Sequence, residues 1–277
     1  MNLLQAIILG IVQGLTEFLP ISSSGHLVLF QKLLGVDIST PQSQSMIVTF
    51  YIALHVGTLF AVIFFFWKKV IEMIRRPFSK LPVQIVVATI PAIIMNFLFG
   101  DFIESTYLSS ILLGPGFLFT GTALMISQKL ADGKKGLEEL KTSDSLVIGL
   151  AQGIALLPAV SRSGMTITTS LILGLQRGFA ADFSFLMSIP PILGGALLDG
   201  IDILKGNSNV SLESIGMGNI LAGMIAAGIT GFLAIKLMMN VIKNMKLKYF
   251  AYYVFSLGTL IIIGQIFFKE SVQWLFQ

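Results

Sequence analysis

The sequence predicts an all-α, polytopic membrane protein. Of its 277 residues, 55% are hydrophobic and only 12% are charged, and the mean hydropathy is +0.87. This composition is typical of integral membrane proteins and not of soluble domains. Apolar stretches long enough to cross a hydrocarbon core of ~30 Å also recur along the chain.

Six of these stretches have the roughly 20 residues that a helix needs to cross the core, and we expect each to be a transmembrane helix. In chain order they are Ile47–Trp67, Pro82–Asp101, Ser109–Lys129, Phe183–Ile201, Gly216–Asn240 and Tyr249–Phe268.

Two further apolar regions are interrupted near the middle by a proline and a serine-glycine cluster. Leu3–Leu34 is broken at PISSSG, and Ser145–Leu175 is broken at PAVSRSG. The piece Ser163–Leu175 spans only about 20 Å at 1.5 Å per residue, which reaches from mid-membrane to one surface. Each region is therefore predicted to be a re-entrant helix pair that enters and leaves on the same side.

The basic residues support this topology, because Lys and Arg gather on the cytoplasmic side of membrane proteins. With the second broken region re-entrant, most of the 18 basic residues fall in cytoplasmic positions. Only Lys32, Lys205 and Lys269 fall outside, and Arg162 lies within the membrane. Both termini are predicted to be outside.

The two broken regions resemble each other. QGLTEFLPISSSG (Gln13–Gly25) and QGIALLPAVSRSG (Gln152–Gly164) share a Gln-Gly, a Leu-Pro and a Ser-x-Ser-Gly end. One membrane domain, 1–277, would thus contain a first repeat, 1–135, and a second repeat, 140–277, inserted upside down. Inverted repeats with broken helices place a binding site near the membrane midplane.

Both serine clusters are placed to cap helix N-termini. Ser22, Ser23 and Ser24 precede one apolar helix, and Ser161 and Ser163 flank Arg162 before another. Helix N-termini favour phosphates and other anions, and two of them could share one diphosphate. The alternative is that the serines only satisfy backbone groups freed by the break.

Arg162 and Glu17 are ionisable residues within these apolar regions. An arginine near the midplane costs at least ~2.5 kcal/mol on insertion scales, and its planar fork matches phosphate oxygens. Glu17 lies four residues after Gln13, on the same helix face, and could hold a divalent cation or accept a proton. The alternative is that Arg162 snorkels to the membrane surface or that the two residues form a structural ion pair.

The chain has two histidines. His26 falls in the first turn after the SSSG cluster, where an imidazole near a phosphate could act as general acid, general base or nucleophile. His55 lies in the middle of a predicted span and is predicted to serve packing.

Several functional classes are excluded. No nucleotide-binding G-x-x-x-x-G-K-[ST], no zinc-ligand spacing and no basic-aromatic surface for nucleic acid is present. The Ser-Gly-His triplet is similar to that of membrane lipid phosphatases, but Thr168 occupies the position of their second histidine.

Two motifs together resemble the bacterial undecaprenyl-diphosphatase family of the bacitracin-resistance type, over essentially the whole chain. QGLTEFLPISSSGH resembles its signature Glu/Gln-x-x-x-Glu followed by Pro-x-Ser-Ser-x-Gly-His, and PAVSRSGMT (Pro158–Thr166) resembles Pro-Gly-x-Ser-Arg-Ser-x-x-Thr. There are two departures. Gln13 leaves one motif carboxylate instead of two, and Ala159 replaces the motif glycine, which bears on the backbone path before Ser161.

The resemblance implies hydrolysis of undecaprenyl diphosphate at the outer face of the bacterial cytoplasmic membrane, which recycles the lipid carrier of cell-wall synthesis and confers bacitracin resistance. The catalytic residues expected from it are Glu17, Ser23, His26 and Arg162. The residues expected to bind substrate are Gln13, Ser22, Ser24, Ser161, Ser163 and Thr166.

In the expected mechanism, Arg162 and the helix N-termini bind the diphosphate. Glu17 holds a divalent cation, Mg²⁺ or Ca²⁺, or activates the nucleophile; no organic cofactor is expected. Ser23 is the preferred nucleophile with His26 assisting proton transfer, while attack by water or by His26 stays open.

A homodimer is compatible with the sequence. The alternatives are an inverted-repeat transporter or lipid flippase, and a non-catalytic scaffold.

Overall fold

The computed structural model describes residues 1–107, 111–130, 132–205, 215–244 and 246–267, and their regular elements are all helices. These helices are α1 (Leu3–Phe18), α2 (Ser23–Leu33), α3 (Pro41–Phe65), α4 (Trp67–Arg75), α5 (Lys80–Tyr107), α6 (Leu113–Gln128), α7 (Thr142–Ile154), α8 (Arg162–Ile172), α9 (Arg177–Leu186), α10 (Ile189–Leu204), α11 (Met217–Lys243) and α12 (Leu247–Phe267). The all-α prediction is confirmed for this part of the chain.

Five helical stretches are long and apolar enough to cross a membrane, which confirms a polytopic membrane protein. They are Pro41–Phe65, Lys80–Ile103, Arg177–Ile201, Met217–Lys243 and Leu247–Phe267.

The remaining predicted span, Ser109–Lys129, differs from the structure. Its helix, α6, begins at Leu113 and has 16 residues, or about 24 Å, which is shorter than a ~30 Å hydrocarbon core. The start of this predicted span at 109, the end of the last span at 268 and the C-terminus lie outside the described residues.

The helix breaks predicted at PISSSG and PAVSRSG are both present. α1 ends at Phe18 because Leu19 is extended (ψ 141°), as a residue before proline prefers. Ser22 then takes φ 71° before α2 begins. In the second region, Pro158 and Ala159 lie in the corresponding interruption between α7 and α8.

The first helix of each broken region packs closely against a long apolar helix of the other half of the chain. α1 lies against α11, where a side chain at Gly14 would collide with Thr230 and with the Ala227 carbonyl. α7 lies against α5, where a side chain at Gly149 would collide with the Ala88 carbonyl. Small residues allow such close approach between membrane helices.

The two breaks meet inside the protein. Ser163 Oγ, at the start of α8, donates to the Leu19 carbonyl in the first break at 3.3 Å. Gly25 of α2 lies directly against Ala159 in the second break. The N-termini of α2 and α8 are thereby brought to one place in the interior.

Candidate active site

The N-terminus of α2 is held by the first serine cluster. Ser22 is its N-cap, and Ser22 Oγ accepts from the Gly25 N–H at 3.4 Å. Ser24 Oγ lies 3.1 Å from Ser22 Oγ. Ser23 is not used in the cap, because its hydroxyl donates to Glu17 Oε2 at 2.6 Å.

The N-terminus of α8 is built in the same way. Ser161 is its N-cap, and Ser161 Oγ accepts from the Gly164 N–H at 3.1 Å. The Ser161 backbone N–H donates to Thr120 Oγ1 at 3.0 Å. The predicted capping role is confirmed for Ser22 and Ser161. These two serines satisfy backbone N–H groups at the breaks, which is the structural role given above as the alternative.

Glu17 is the centre of the hydrogen-bond network where the breaks meet. Arg162 Nη2 donates to Glu17 Oε1 at 2.7 Å, and Gln13 Nε2 donates to Oε2 at 3.1 Å, the oxygen that also accepts from Ser23. The second arm of the guanidinium, Nη1, donates to the Ser184 carbonyl at 2.9 Å. Arg162 and Glu17 therefore form the ion pair that was given above as the structural alternative.

Thr166 supports the arginine from the α8 side. Its hydroxyl donates to the Arg162 carbonyl at 2.8 Å and lies 2.6 Å from Ser184 Oγ. Thr166 is fully buried and is not part of the cavity lining, so it contacts Arg162 from the side away from the cavity.

A cavity of about 300 Å³ opens beside this network. That volume lies at the lower end of the range for small-molecule sites. Its polar lining side chains are Glu17, Ser23, Ser24, His55, Gln152, Arg162 and Ser188, and its apolar wall comes from α3, α5, α10 and the two residues that follow α7. Three of the four residues expected to be catalytic, Glu17, Ser23 and Arg162, thus face one cavity.

His55 is a lining residue that sequence reasoning missed. Its Nε2 lies 3.6 Å from Glu17 Oε2, and its Nδ1 is 2.7 Å from the Tyr51 carbonyl. The structure thus gives His55 a polar neighbour that the packing prediction did not include, and the role of His55 stays a prediction. The available signal was the presence of an ionisable residue inside an apolar span, which by itself indicates a functional site in membrane proteins.

His26 lies in a different environment from the one expected. Its Nδ1 is 2.7 Å from the Ser22 carbonyl, and its Nε2 is 2.7 Å from the Tyr253 hydroxyl. Because a carbonyl only accepts, Nδ1 carries the proton and Nε2 accepts from Tyr253. The ring is buried between Tyr253 and Phe117, and the structure does not place it beside Ser23.

Ala159 stands where the motif has glycine, and the backbone conformation there is one that favours glycine. Its φ is 60°, in the left-handed region that favours glycine. The residue is completely buried. The backbone path required before Ser161 is thus retained in this chain at the expense of local strain.

Glu17 is the carboxylate that the described lining offers to a cation. Within the described ranges, no group of three or more His, Cys, Asp or Glu side chains could hold an ion. Both oxygens of Glu17 already accept hydrogen bonds, one of them from Arg162. Mg²⁺ and Ca²⁺ require six or more oxygen ligands, so the protein alone does not fit the expected cation.

Comparisons with known proteins show the family of the chain. The family model described as "Bacitracin resistance protein BacA" matches residues 6–260. An undecaprenyl-diphosphatase of Carboxydothermus hydrogenoformans is 42% identical over 265 residues, covering 96% of this chain and 98% of the relative. Undecaprenyl-diphosphatase 3 of Bacillus cereus has the same identity and coverage. An undecaprenyl-diphosphatase of Alkaliphilus metalliredigens is 41% identical over 281 residues, covering 95% and 98%.

Proposed function

This chain belongs to the bacitracin resistance protein BacA family, and on that premise we propose that it hydrolyses undecaprenyl diphosphate to undecaprenyl phosphate and inorganic phosphate. The activity recycles the lipid carrier of cell-wall synthesis and confers bacitracin resistance. One observation carries the proposal: a hydroxyl, a carboxylate and a guanidinium, from Ser23, Glu17 and Arg162, meet at two helix N-termini beside a cavity.

These groups suit phosphoryl transfer, which depends mainly on positioning and on stabilising negative charge. Arg162 and the N-termini of α2 and α8 bind the diphosphate oxygens. A carboxylate that accepts a 2.6 Å hydrogen bond from a serine hydroxyl can take the proton of that hydroxyl as it attacks.

In the proposed reaction, Ser23 Oγ attacks the terminal phosphorus and its proton passes to Glu17. The bond from that phosphorus to the bridging oxygen breaks, and undecaprenyl phosphate leaves. Water then attacks the phosphoserine and gives a proton to Glu17, the bond from Ser23 Oγ to phosphorus breaks, Ser23 Oγ takes that proton from Glu17, and inorganic phosphate is released. In the first step His55, 3.6 Å from Glu17, carries the proton of Ser23 from Glu17 to the bridging oxygen of the leaving undecaprenyl phosphate.

This scheme revises the expected role of His26. Because its nitrogens bond to Ser22 and Tyr253, we assign His26 to holding the start of α2 and Glu17 to accepting the proton. Attack by water, or by His26 itself, is the alternative chemistry to be tested.

The expected divalent cation is proposed to arrive bound to the substrate. The protein offers Glu17 as a single carboxylate, whereas a diphosphate supplies several oxygen ligands of the kind that Mg²⁺ prefers. The concentration of Mg²⁺ or Ca²⁺ needed for full activity should therefore rise with the substrate concentration and not with the enzyme concentration.

The membrane arrangement is proposed to be an inverted repeat with two re-entrant pairs, α1–α2 and α7–α8. The packing of α1 on α11 and of α7 on α5 supports it. In an inverted repeat, a contact between the first helix of one half and a long helix of the other half recurs with the two halves interchanged. We place the protein in the bacterial cytoplasmic membrane with both termini outside and the cavity open to the outer face.

Purified protein in detergent, given undecaprenyl diphosphate with Mg²⁺ or Ca²⁺, tests the function through release of inorganic phosphate. Ser23→Ala should remove nearly all turnover while leaving substrate binding, and Ser45→Ala, on α3 outside the cavity lining, is the matched control. A transporter or flippase would bind the same lipid without altering it, so binding without phosphate release would favour that alternative. Full activity of Ser23→Ala would move the attack to water or His26.

A further inference from the structure

Gln152 is a buried glutamine whose amide is unpaired in the described part of the chain. Its residue exposure is 3%, and neither Nε2 nor Oε1 has a hydrogen-bond partner there. Buried amides are normally bonded to protein or to ordered water, because leaving them unpaired costs free energy. This amide therefore requires a partner that comes from outside the described chain.

The amide borders the cavity of the candidate active site. Gln152 lines that cavity together with Glu17, Ser23 and Arg162. Among the described residues of α7 it is the one that lines the cavity, and it adds hydrogen-bond donors beside Ala155 and Leu156, which follow the end of the helix.

The internal repeat rules out one structural explanation for this glutamine. Gln13, its counterpart in the first repeat, donates to Glu17 four residues further along α1. The position four residues after Gln152 is Leu156, so Gln152 has no equivalent carboxylate to orient.

We propose that Gln152 is a further substrate-binding residue, whose Nε2 donates to an oxygen of the bound diphosphate. The inference rests on the proposed function for the identity of the ligand. Deprotonated phosphate oxygens only accept hydrogen bonds, and an amide NH₂ only donates them. A neutral donor also holds an anion without adding to the charge of Arg162 in a site surrounded by apolar helices.

The test compares Gln152→Met with the wild-type protein. Methionine has a similar length and no hydrogen-bonding amide, so it removes the interaction with little change in volume. We expect kcat/KM for undecaprenyl diphosphate to fall about tenfold or more, which is the usual effect of losing a hydrogen bond to a charged group. The unfolding temperature should stay the same or rise, because an unpaired amide is removed from the interior.

The matched control is Gln84→Met. Gln84 is also buried, has an unpaired Oε1, and lies on α5 with its Nε2 3.4 Å from Thr142 Oγ1, outside the cavity lining. Its kinetics should match those of the wild type.

Binding of a methylene-bridged polyprenyl diphosphonate, which cannot be hydrolysed, separates the inference from the function. The Kd of Gln152→Met should be raised about tenfold or more, whether or not the wild type releases phosphate. An unchanged Kd and kcat/KM would mean that the amide only binds water and would overturn the proposal. A lowered unfolding temperature with unchanged Kd would also overturn it, in favour of a structural role.

Discussion

Arg162 and Glu17 lie 145 positions apart in the chain and form an ion pair 2.7 Å long between the two helix breaks. The pair is largely removed from solvent, with the side chains of Arg162 and Glu17 17% and 7% exposed. A buried ion pair is weak evidence for stability, because desolvation offsets the attraction. Its position beside Ser23 and the cavity gives a functional reason for the pair.

Arg162→Lys should lower kcat/KM about 10- to 100-fold while the protein still folds. Lysine keeps the charge, but it cannot bond to Glu17, Ser184 and a phosphate with the geometry of a guanidinium. Phosphate release and the unfolding temperature measure the two effects. Arg177→Lys, at a partly buried arginine that pairs with Asp132 outside the cavity lining, is the control. A lysine variant with normal kinetics would show that a point charge suffices.

His55→Ala should slow phosphate release about 100-fold with a smaller change in KM. The imidazole contacts Glu17, and a general acid or base typically contributes ~10²–10⁴-fold. Because an amide does not take up and release a proton as an imidazole does, His55→Gln should recover little activity even though it retains a polar side chain. An unchanged kcat in His55→Ala would return the residue to a packing role.

Tyr253→Phe should leave kcat within a few-fold of the wild type and lower stability by about 1 kcal/mol, the usual contribution of one hydrogen bond. The hydroxyl bonds only to His26 among the described contacts, outside the cavity lining. His26→Ala should reduce both stability and turnover, because it also releases the Ser22 carbonyl. If His26→Ala abolishes turnover in a fully folded protein while Ser23→Ala is only slowed, His26 is the nucleophile.

Ala159→Gly should be nearly neutral for stability. Glycine relieves the strain of a φ of 60°, about 1–2 kcal/mol, and this gain offsets the loss of a buried methyl group and the greater freedom of the unfolded chain. Ala227→Gly, at a buried position inside α11, has no such strain and should cost about 1 kcal/mol or more. Equal losses in thermal unfolding would contradict strain at Ala159.

Cysteines introduced at Lys205 and at Lys134 should react from opposite sides of the membrane. The chain has no cysteine of its own, and both positions are exposed. An impermeant thiol reagent added to intact cells should label Lys205→Cys and leave Lys134→Cys unlabelled until the cells are opened. Labelling of both in intact cells would remove the proposed inverted topology.

The helices and their breaks could be predicted from sequence because hydrophobic length and proline position determine them directly. The meeting of Glu17, Ser23 and Arg162 followed from the repeated motif. His55 could not be placed, since α3 is apolar on nearly every side and its periodicity does not indicate which face borders a cavity.

The orientation of the His26 imidazole, away from Ser23, could not be predicted for a different reason. It depends on the positive φ of Ser22 and on a tyrosine 227 positions away, and neither is visible in a local pattern. The left-handed backbone at Ala159 was likewise hidden, because alanine gives no indication of a positive φ.

The close packing of α1 against α11 has a consequence for how the chain is made. α1 is synthesised before α11, yet α11 carries the surface that covers its glycine face, and the partner of His26 lies on α12. During translation the hairpin of α1 and α2 must therefore stay in the bilayer, incompletely packed, until α11 has been inserted. The contact that holds the start of α2 forms only when α12 follows.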